Sequence, residues 1–432
     1  MVIVDTALKK RYEEGNPVRV GMVGAGYMGR GVALQICSGM EGIELAAIAN
    51  RTVENAEQAY SEAGVDAPTV VQSVSQLEAA VEAGQPAIMG DPSLVCQAEG
   101  IDAVLEATGE IEFGAKVALE AIEHGKHLVL LNAELDATVG PILKHYADKA
   151  GVVLSNADGD EPGVAMNLYR FVDSIGYQPV MAGNIKGFYD PYRTPETQRG
   201  FAEKHNQDPK MITSFADGTK LSMETTVLAN ATGFGVAKRG MHGHECGHVN
   251  DLLDHFSAKD VQDQGLIEYV LGADPGTGAF VVGYNEHPAK QQYMQYFKMG
   301  DGPLYLFYTP FHLPHMQVPL TLARAVLFQD TAVAPQGAPS CDVLTVAKRD
   351  LQAGETLDGI GGFMSYGLIE NAEVSIDRGF LPMGLSEGCT LKSDIKQDQP
   401  ITYEDVEIPE GRLVDELRAE QDERYFSKRV LA

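Results

Sequence analysis

Apolar positions in the first third of this chain come in short unbroken runs, separated by stretches in which they recur every three or four residues. Val18, Val20, Met22 and Val23 make the first run; Ile43 to Ala49, Ile101 to Ala107, His127 to Asn132 and Val152 to Ser155 make the later ones. Continuous apolar strands alternating with helical stretches such as Phe113 to His124, which stops at Gly125, predict a parallel sheet covered on both faces. A short polar helix over 4–15 precedes the first strand, and residues 76–100, with Gly84, Pro86, Gly90 and Pro92, interrupt the alternation. Beyond Ser155 the texture changes. Val180 to Ile185 reads as a strand ending in Lys186, and a helix runs through Asn230. Pro335, Gly337 and Pro339 mark a linker; after it, Ala347 to Leu357 and Leu391 to Val406 look like two variants of one β-type pattern, which predicts a small domain with internal pseudo-symmetry. The expected layout is an α/β domain over 1–155, an α+β domain over 156–335, a β-rich domain over 340–408 and a charged helical tail over 409–432.

The first strand leads straight into Gly24-Ala25-Gly26-Tyr27-Met28-Gly29 and then into a helix carrying Val32, Leu34 and Ile36. Strand, glycine turn and helix in that order make the Rossmann dinucleotide fingerprint. Gly24 permits the turn, Gly26 lets a pyrophosphate reach the backbone, and Gly29 lets the helix pack closely on the strand. About 20 residues beyond Gly29, where an NAD enzyme presents a carboxylate to the ribose 2′-hydroxyl, the chain has Asn50-Arg51-Thr52. Neutral hydrogen-bonding groups with a guanidinium suit a 2′-phosphate, so NADP is expected in preference to NAD. Thr108-Gly109 and Asn132-Ala133-Glu134 fall at carboxyl ends of strands, where open α/β sheets bind ligands, and are expected at the nicotinamide end.

The formal net charge of −28 makes nucleic acid and anionic membrane surfaces poor partners, and any anionic substrate needs its own local cations. Five scattered cysteines without CxxC spacing, no leading signal region and no bilayer-length apolar run predict reduced thiols in a cytoplasmic protein. Against this acidic background Lys186 and Lys220 stand out as candidate substrate cations. Asp160, Asp217 and Glu224 are the candidate acid or base partners, Asp217 also being placed to cap the helix behind it and Glu224 lying four residues after Lys220. Asn156 to Gly163 contains three acidic side chains, which either hold a divalent cation or form a solvated turn. His242, His244, Cys246 and His248 offer transition-metal donors on a glycine-rich loop, although structural zinc sites separate their ligand pairs by longer connections. His312 and His315 are candidate proton donors or satisfied turn residues.

VRVGMVGAGYMG, VLEATG, GKHLVLLNAELD, GDEPGVA, SFADGTKLSMETTVLANATG, YTPFHL, VAKRDLQAGETLDGIGG and LPMGL occur in collinear order over most of the chain. Together they resemble the homoserine-dehydrogenase-like oxidoreductases with a C-terminal SAF domain, a group that includes the DXR-like form of 1-deoxy-D-xylulose 5-phosphate reductoisomerase. The resemblance implies an N-terminal Rossmann domain, an α+β substrate and oligomer-forming domain and a SAF domain. It also implies NADPH-dependent rearrangement and reduction of a phosphorylated ketose in isoprenoid biosynthesis, with Lys186, Asp160, Asp217, Lys220 and Glu224 in cleft-lining blocks. The substrate-domain signature of genuine homoserine dehydrogenases is missing, as is the carboxylate-rich metal motif of the ordinary reductoisomerase. A homoserine-type alcohol dehydrogenase without rearrangement and a non-catalytic binder of NADP and a sugar acid are the alternative readings.

Overall fold

The two longest early apolar runs become β1 (Val18–Val23) and β2 (Ile43–Ala49), which pair in parallel and are buried almost throughout. The computed structural model describes residues 3–427. The chain divides into two compact units: residues up to Asp136, Ile142–Asp160 and Leu313–Ala334 form the first, and Ala137–Pro141, Glu161–His312 and the chain from Pro335 form the second.

In the first unit, α1 (Val4–Glu13) and α2 (Tyr27–Cys37) flank β1, and α3 (Val53–Glu62), β3 (Thr69–Val70), α4 (Val74–Glu82), β4 (Ala87–Met89) and α5 (Ser93–Gln97) follow β2. Then come β5 (Ala103–Glu106), α6 (Ile111–Glu123), β6 (His127–Leu130), α7 (Ala133–Ala150) and β7 (Leu154–Asn156). All strands run parallel in the order β3-β4-β2-β1-β5-β6-β7, which reverses direction between β1 and β5. That reversal is the switch point at which such sheets bind ligands beyond their carboxyl ends. The interruption at 76–100 proves to contain a sheet strand: β4 lies between β2 and β3, and at three residues it is too short to show a period.

A helix over Pro314–Phe328, α14 in chain order, also belongs to this unit, although its place in the sequence put it in the second domain. Val318 and Leu322 join Val20, Met22, Val32 and Ile36 in one core cluster. Each buried aliphatic side chain contributes about 1.5–3 kcal/mol. Gly31 is what lets α2 approach, since a Cβ there would stand 2.9 Å from the His315 ring.

The second unit contains α8 (Glu161–Ser174), β8 (Gln178–Lys186), α9 (Pro195–Lys204), α10 (Pro209–Ala216), α11 (Thr219–Thr232), β9 (His244–Glu245), α12 (Ala258–Val261), β10 (Leu266–Leu271), β11 (Thr277–Tyr284), α13 (Pro288–Tyr296) and β12 (Leu304–Thr309). Its mixed sheet has the order β12-β11-β8-β10-β9, so β8 is central. The β-rich segment behind the linker, with β13 (Cys341–Ala347), β14 (Ser365–Asn371), α15 (Ala372–Arg378), β15 (Thr390–Leu391) and β16 (Val406–Glu407), packs in the same unit. Its two similar blocks pair with each other. Leu351 and Ile395 exchange backbone hydrogen bonds, Asp350 accepts from Gln397 N, and Asp394 accepts from Ala353 N.

Of the predicted tail, 409–427 is described and 428–432 lies outside the described residues. Its helix, α16 (Leu413–Phe426), is anchored through Arg418, buried and forked onto both carboxylate oxygens of Asp342 at 3.1 and 2.6 Å and onto Asp422 at 2.9 Å. No helix among the described residues is long and apolar enough to cross a membrane.

Candidate active site

At the end of β1, Gly24 adopts φ +106°, and a Cβ there would sit 2.6 Å from the Ala107 carbonyl oxygen. Gly29 is equally committed, since its Cβ would be 2.5 Å from Gly24 O. Gly26 heads α2 with open space on its Cβ side, and the first turn of α2 carries no acidic residue to offset the helix-end charge. Tyr27 is exposed and Met28 half-buried beside it. The turn is therefore closed where the chain must pack and open where an anion would approach.

Asn50 turns inward. Its Oδ1 accepts from Ala25 N at 3.0 Å and its Nδ2 donates to Thr52 O at 2.7 Å, so its amide braces the glycine turn, whereas the sequence offers it with Arg51 and Thr52 to a 2′-phosphate. Arg51 and Thr52 are exposed, and Arg51 makes no ion pair among the described residues. Thr108 and Gly109 follow β5 at the same sheet edge, half-buried and exposed. Asn132 is buried and caps α7 by accepting from Leu135 N, and Glu134 is buried in the first turn of that helix. A pocket of about 630 Å³ lies at the opposite, amino-terminal edge of the sheet among residues such as Arg19, Ile43 and Pro86, and is no part of this arrangement.

In the second unit the chemistry gathers at the end of β8. Lys186 Nζ stands 3.4 Å from Glu161 Oε1, at the start of α8, and 3.7 Å from Glu224 Oε2, inside α11. Both carboxylates are almost fully buried, while the lysine retains 16% exposure. Asn184, two residues before Lys186 and hence on the same face of β8, donates to Glu224 Oε2 at 2.9 Å, and its own Oδ1 is buried without a hydrogen-bond partner among the described residues. His312 Nδ1 lies 3.2 Å from Glu161 Oε2. The result is an ammonium between two carboxylates, one steered by an amide and the other facing an imidazole. That set can hold charge at a reacting oxygen and move a proton. Glu161 and His312 also offer an oxygen and a nitrogen donor suited to a divalent ion.

Two of the five catalytic candidates, Lys186 and Glu224, thus come together, and Glu161, Asn184 and His312 complete the group. Lys186, expected from the sequence as a substrate cation, has its charge answered from two sides by these carboxylates. Asp160 is buried and directly precedes Glu161 in the chain, in a loop that is interior where the sequence allowed a solvated turn: Asn156 N donates to Val333 O and Asp158 N to Thr321 Oγ1. Lys220 is half-buried on α11. Asp217 does serve the start of α11 by accepting from Thr219 N, but its other oxygen is taken by Lys348 Nζ at 2.9 Å in a fully buried ion pair. The signal for Asn184 was available in the two-residue period of a strand ending in Lys186; nothing in sequence pointed to Lys348.

The histidine loop is an aromatic stack. The rings of His244 and His255 lie 4.1 Å apart and nearly parallel, His242 stacks on His244 at 5.4 Å, and His242 Nδ1 is 2.5 Å from the buried Glu268. Among the described residues the donors of this loop do not form a group close enough to share one metal ion. His248 instead caps a 3-10 turn by accepting from Asn250 N.

Residues 18–132 match the GFO/IDH/MocA oxidoreductase family, described as having an NAD-binding Rossmann fold, and residues 159–318 match the catalytic domain of Oxidoreductase DRL. No curated protein matches the chain. Similar solved structures include a probable dehydrogenase from Thermotoga maritima, with 16% identity over 62% of this chain and 73% of that one and a TM-score of 0.37. Scyllo-inositol dehydrogenase from Lactobacillus casei, with bound NAD(H) and scyllo-inositol, is 15% identical over 62% and 74%, with a TM-score of 0.35. The Zymomonas mobilis 1-deoxy-D-xylulose 5-phosphate reductoisomerase in complex with NADPH is 19% identical over 49% and 57%, with a TM-score of 0.34.

Proposed function

We propose that this NAD(P)-dependent oxidoreductase, a GFO/IDH/MocA-type Rossmann segment joined to a DRL-type catalytic segment, uses NADPH to reduce a small phosphorylated or polyhydroxylated carbonyl compound. In its most specific form the reaction is that of a 1-deoxy-D-xylulose 5-phosphate reductoisomerase, the group its motifs resemble. The observation that carries this reading is the Lys186 ammonium set between Glu161 and Glu224 inside the DRL-matched segment.

Hydride delivery to a carbonyl carbon moves the C=O π pair onto oxygen, and the alkoxide that forms needs a cation and then a proton. Lys186 supplies the cation. His312, facing Glu161, supplies or passes the proton. Rearrangement of the carbon skeleton first requires a substrate hydroxyl to lose its proton, and Glu224, oriented by Asn184, is the base for that step. A divalent ion, where the reaction uses one, would be held by Glu161 and His312 and would polarise the same carbonyl oxygen.

The test incubates the enzyme and NADPH with carbon-13-labelled 1-deoxy-D-xylulose 5-phosphate and reads the product by NMR. A migrated carbon with matching NADPH loss is expected. An unmigrated alcohol would remove the reductoisomerase version, and no NADPH loss with any of a panel of phosphorylated and unphosphorylated ketoses would remove the reading altogether. On the coenzyme side, Arg51→Ala is expected to weaken NADPH binding at least about tenfold, the value of a charge-assisted phosphate contact, and to leave NADH almost untouched. Equal loss for both coenzymes would show that Arg51 does not read the 2′-phosphate.

A further inference from the structure

Glu106 is the last residue of β5, and its register partner is Val23, the residue before Gly24. It is fully buried, an uncommon position for a carboxyl group at the ligand edge of a parallel sheet. Its Oε1 accepts from Thr108 N at 2.8 Å and from the Thr108 hydroxyl. Thr108 Oγ1 in turn accepts from Glu110 N at 3.3 Å, and Glu110 O accepts from Asn132 Nδ2 at 3.3 Å. One carboxyl group thus anchors a chain of hydrogen bonds linking the ends of β5 and β6. Gly114 makes room for it, because a Cβ there would lie 3.2 Å from both Glu106 Cδ and Asn132 Nδ2.

The other oxygen, Oε2, is sealed from solvent and among the described residues has no hydrogen-bond partner at full bonding distance, the Asn132 amide being the neutral donor that faces the carboxyl. Thr108 and Asn132 are the neutral groups facing the carboxyl, and the charged one, Glu134 on α7, has the same sign. Among the described residues no cation faces the carboxyl to answer a negative charge sealed from bulk solvent.

We propose that Glu106 is a positioning residue that works as a neutral carboxylic acid, holding Thr108 to Glu110 and Asn132 in the arrangement that receives the dinucleotide. This rests on the reading of the Gly24–Gly29 turn as the dinucleotide seat. Burial, reinforced by Glu134, pushes the carboxyl pKa up, while the hydrogen bonds from Thr108 and Asn132 pull it back. An acid with a raised pKa keeps its proton to higher pH and loses it as pH climbs. Ionisation then places an unanswered negative charge beside the turn that takes up the pyrophosphate, so affinity for the cofactor falls with rising pH.

The experiment titrates the full chain with NADPH, by fluorescence, between pH 7.5 and pH 9.5, above the range in which the 2′-phosphate itself titrates. Wild-type affinity should fall as pH rises through the ionisation of Glu106. Glu106→Gln, neutral at every pH and able to accept from Thr108, should match the wild type at the acid end and stay flat. Thr108→Val, which cuts the chain of hydrogen bonds, should weaken binding at all pH values. A Glu106→Gln variant that binds NADPH at least about tenfold more weakly than the wild type at the acid end, or one that keeps a wild-type slope, would overturn the proposal. Gly26→Asp, whose side chain enters open space and puts a charge in the pyrophosphate seat, separates the two layers: unchanged NADPH affinity there would overturn the underlying reading instead.

Discussion

Lys186→Ala lowers kcat by about three orders of magnitude, ~4 kcal/mol of transition-state stabilisation, while the Kd for NADPH stays within about twofold of wild type. The size of the loss follows from what the side chain does: it is the cation that Glu161 and Glu224 hold at the end of β8. Removing it costs stability too, because two buried carboxylates lose their counter-charge. Lys186→Arg separates the effects. It restores the charge and most of the thermal stability but recovers only part of kcat, since a planar guanidinium cannot take the place of a compact ammonium. A Lys186→Ala enzyme that turns over within about tenfold of wild type would end the assignment of Lys186 to the chemistry.

Lys348→Met destabilises the protein by about 3–5 kcal/mol without touching the proposed site. Lys348 uses all three of its donors in the interior: Asp217 Oδ2 at 2.9 Å, Arg193 O at 2.7 Å and Gly362 O at 2.8 Å. The methionine leaves Asp217 as a buried charge and orphans two carbonyls. Urea unfolding of Lys348→Met, Asp217→Asn and the double variant measures the coupling, and the double variant should be less damaged than the sum of the two. The same series settles Asp217. With kcat measured well below the unfolding temperature, Asp217→Asn should keep near-normal turnover while losing stability. A stable variant with kcat lowered about a hundredfold would return Asp217 to the catalytic group.

The contrast between Asp217 and Glu224 shows where sequence stops. One lies just before α11 and the other seven positions later inside it, and their local sequence offers a cap and an i,i+4 partner but not which of them joins the site. What separates them is which distant cation each meets: Lys186 from the central strand for Glu224, Lys348 from the far side of the linker for Asp217. Asn50 and Asn132 make the same point. Their positions at strand ends are visible in the sequence, but only packing shows that one braces the glycine turn and the other caps α7.

By itself the sequence determined the parallel sheet, the glycine turn and the identity of the strand that ends in Lys186. Those depend on apolar period and on backbone freedom at Gly24 and Gly29, which are local properties of the chain. Only the tertiary structure decided that the helix over 314–328 belongs with the first sheet, that the two similar β blocks cap each other through Asp350 and Asp394, and that Glu161, Glu224, Asn184 and His312 meet around one lysine. Apart from Asn184 and Lys186, which share one strand, each of these joins residues far apart along the chain. Burial chooses such pairings by shape and by the need to answer every buried charge, and neither is written in any short stretch of sequence.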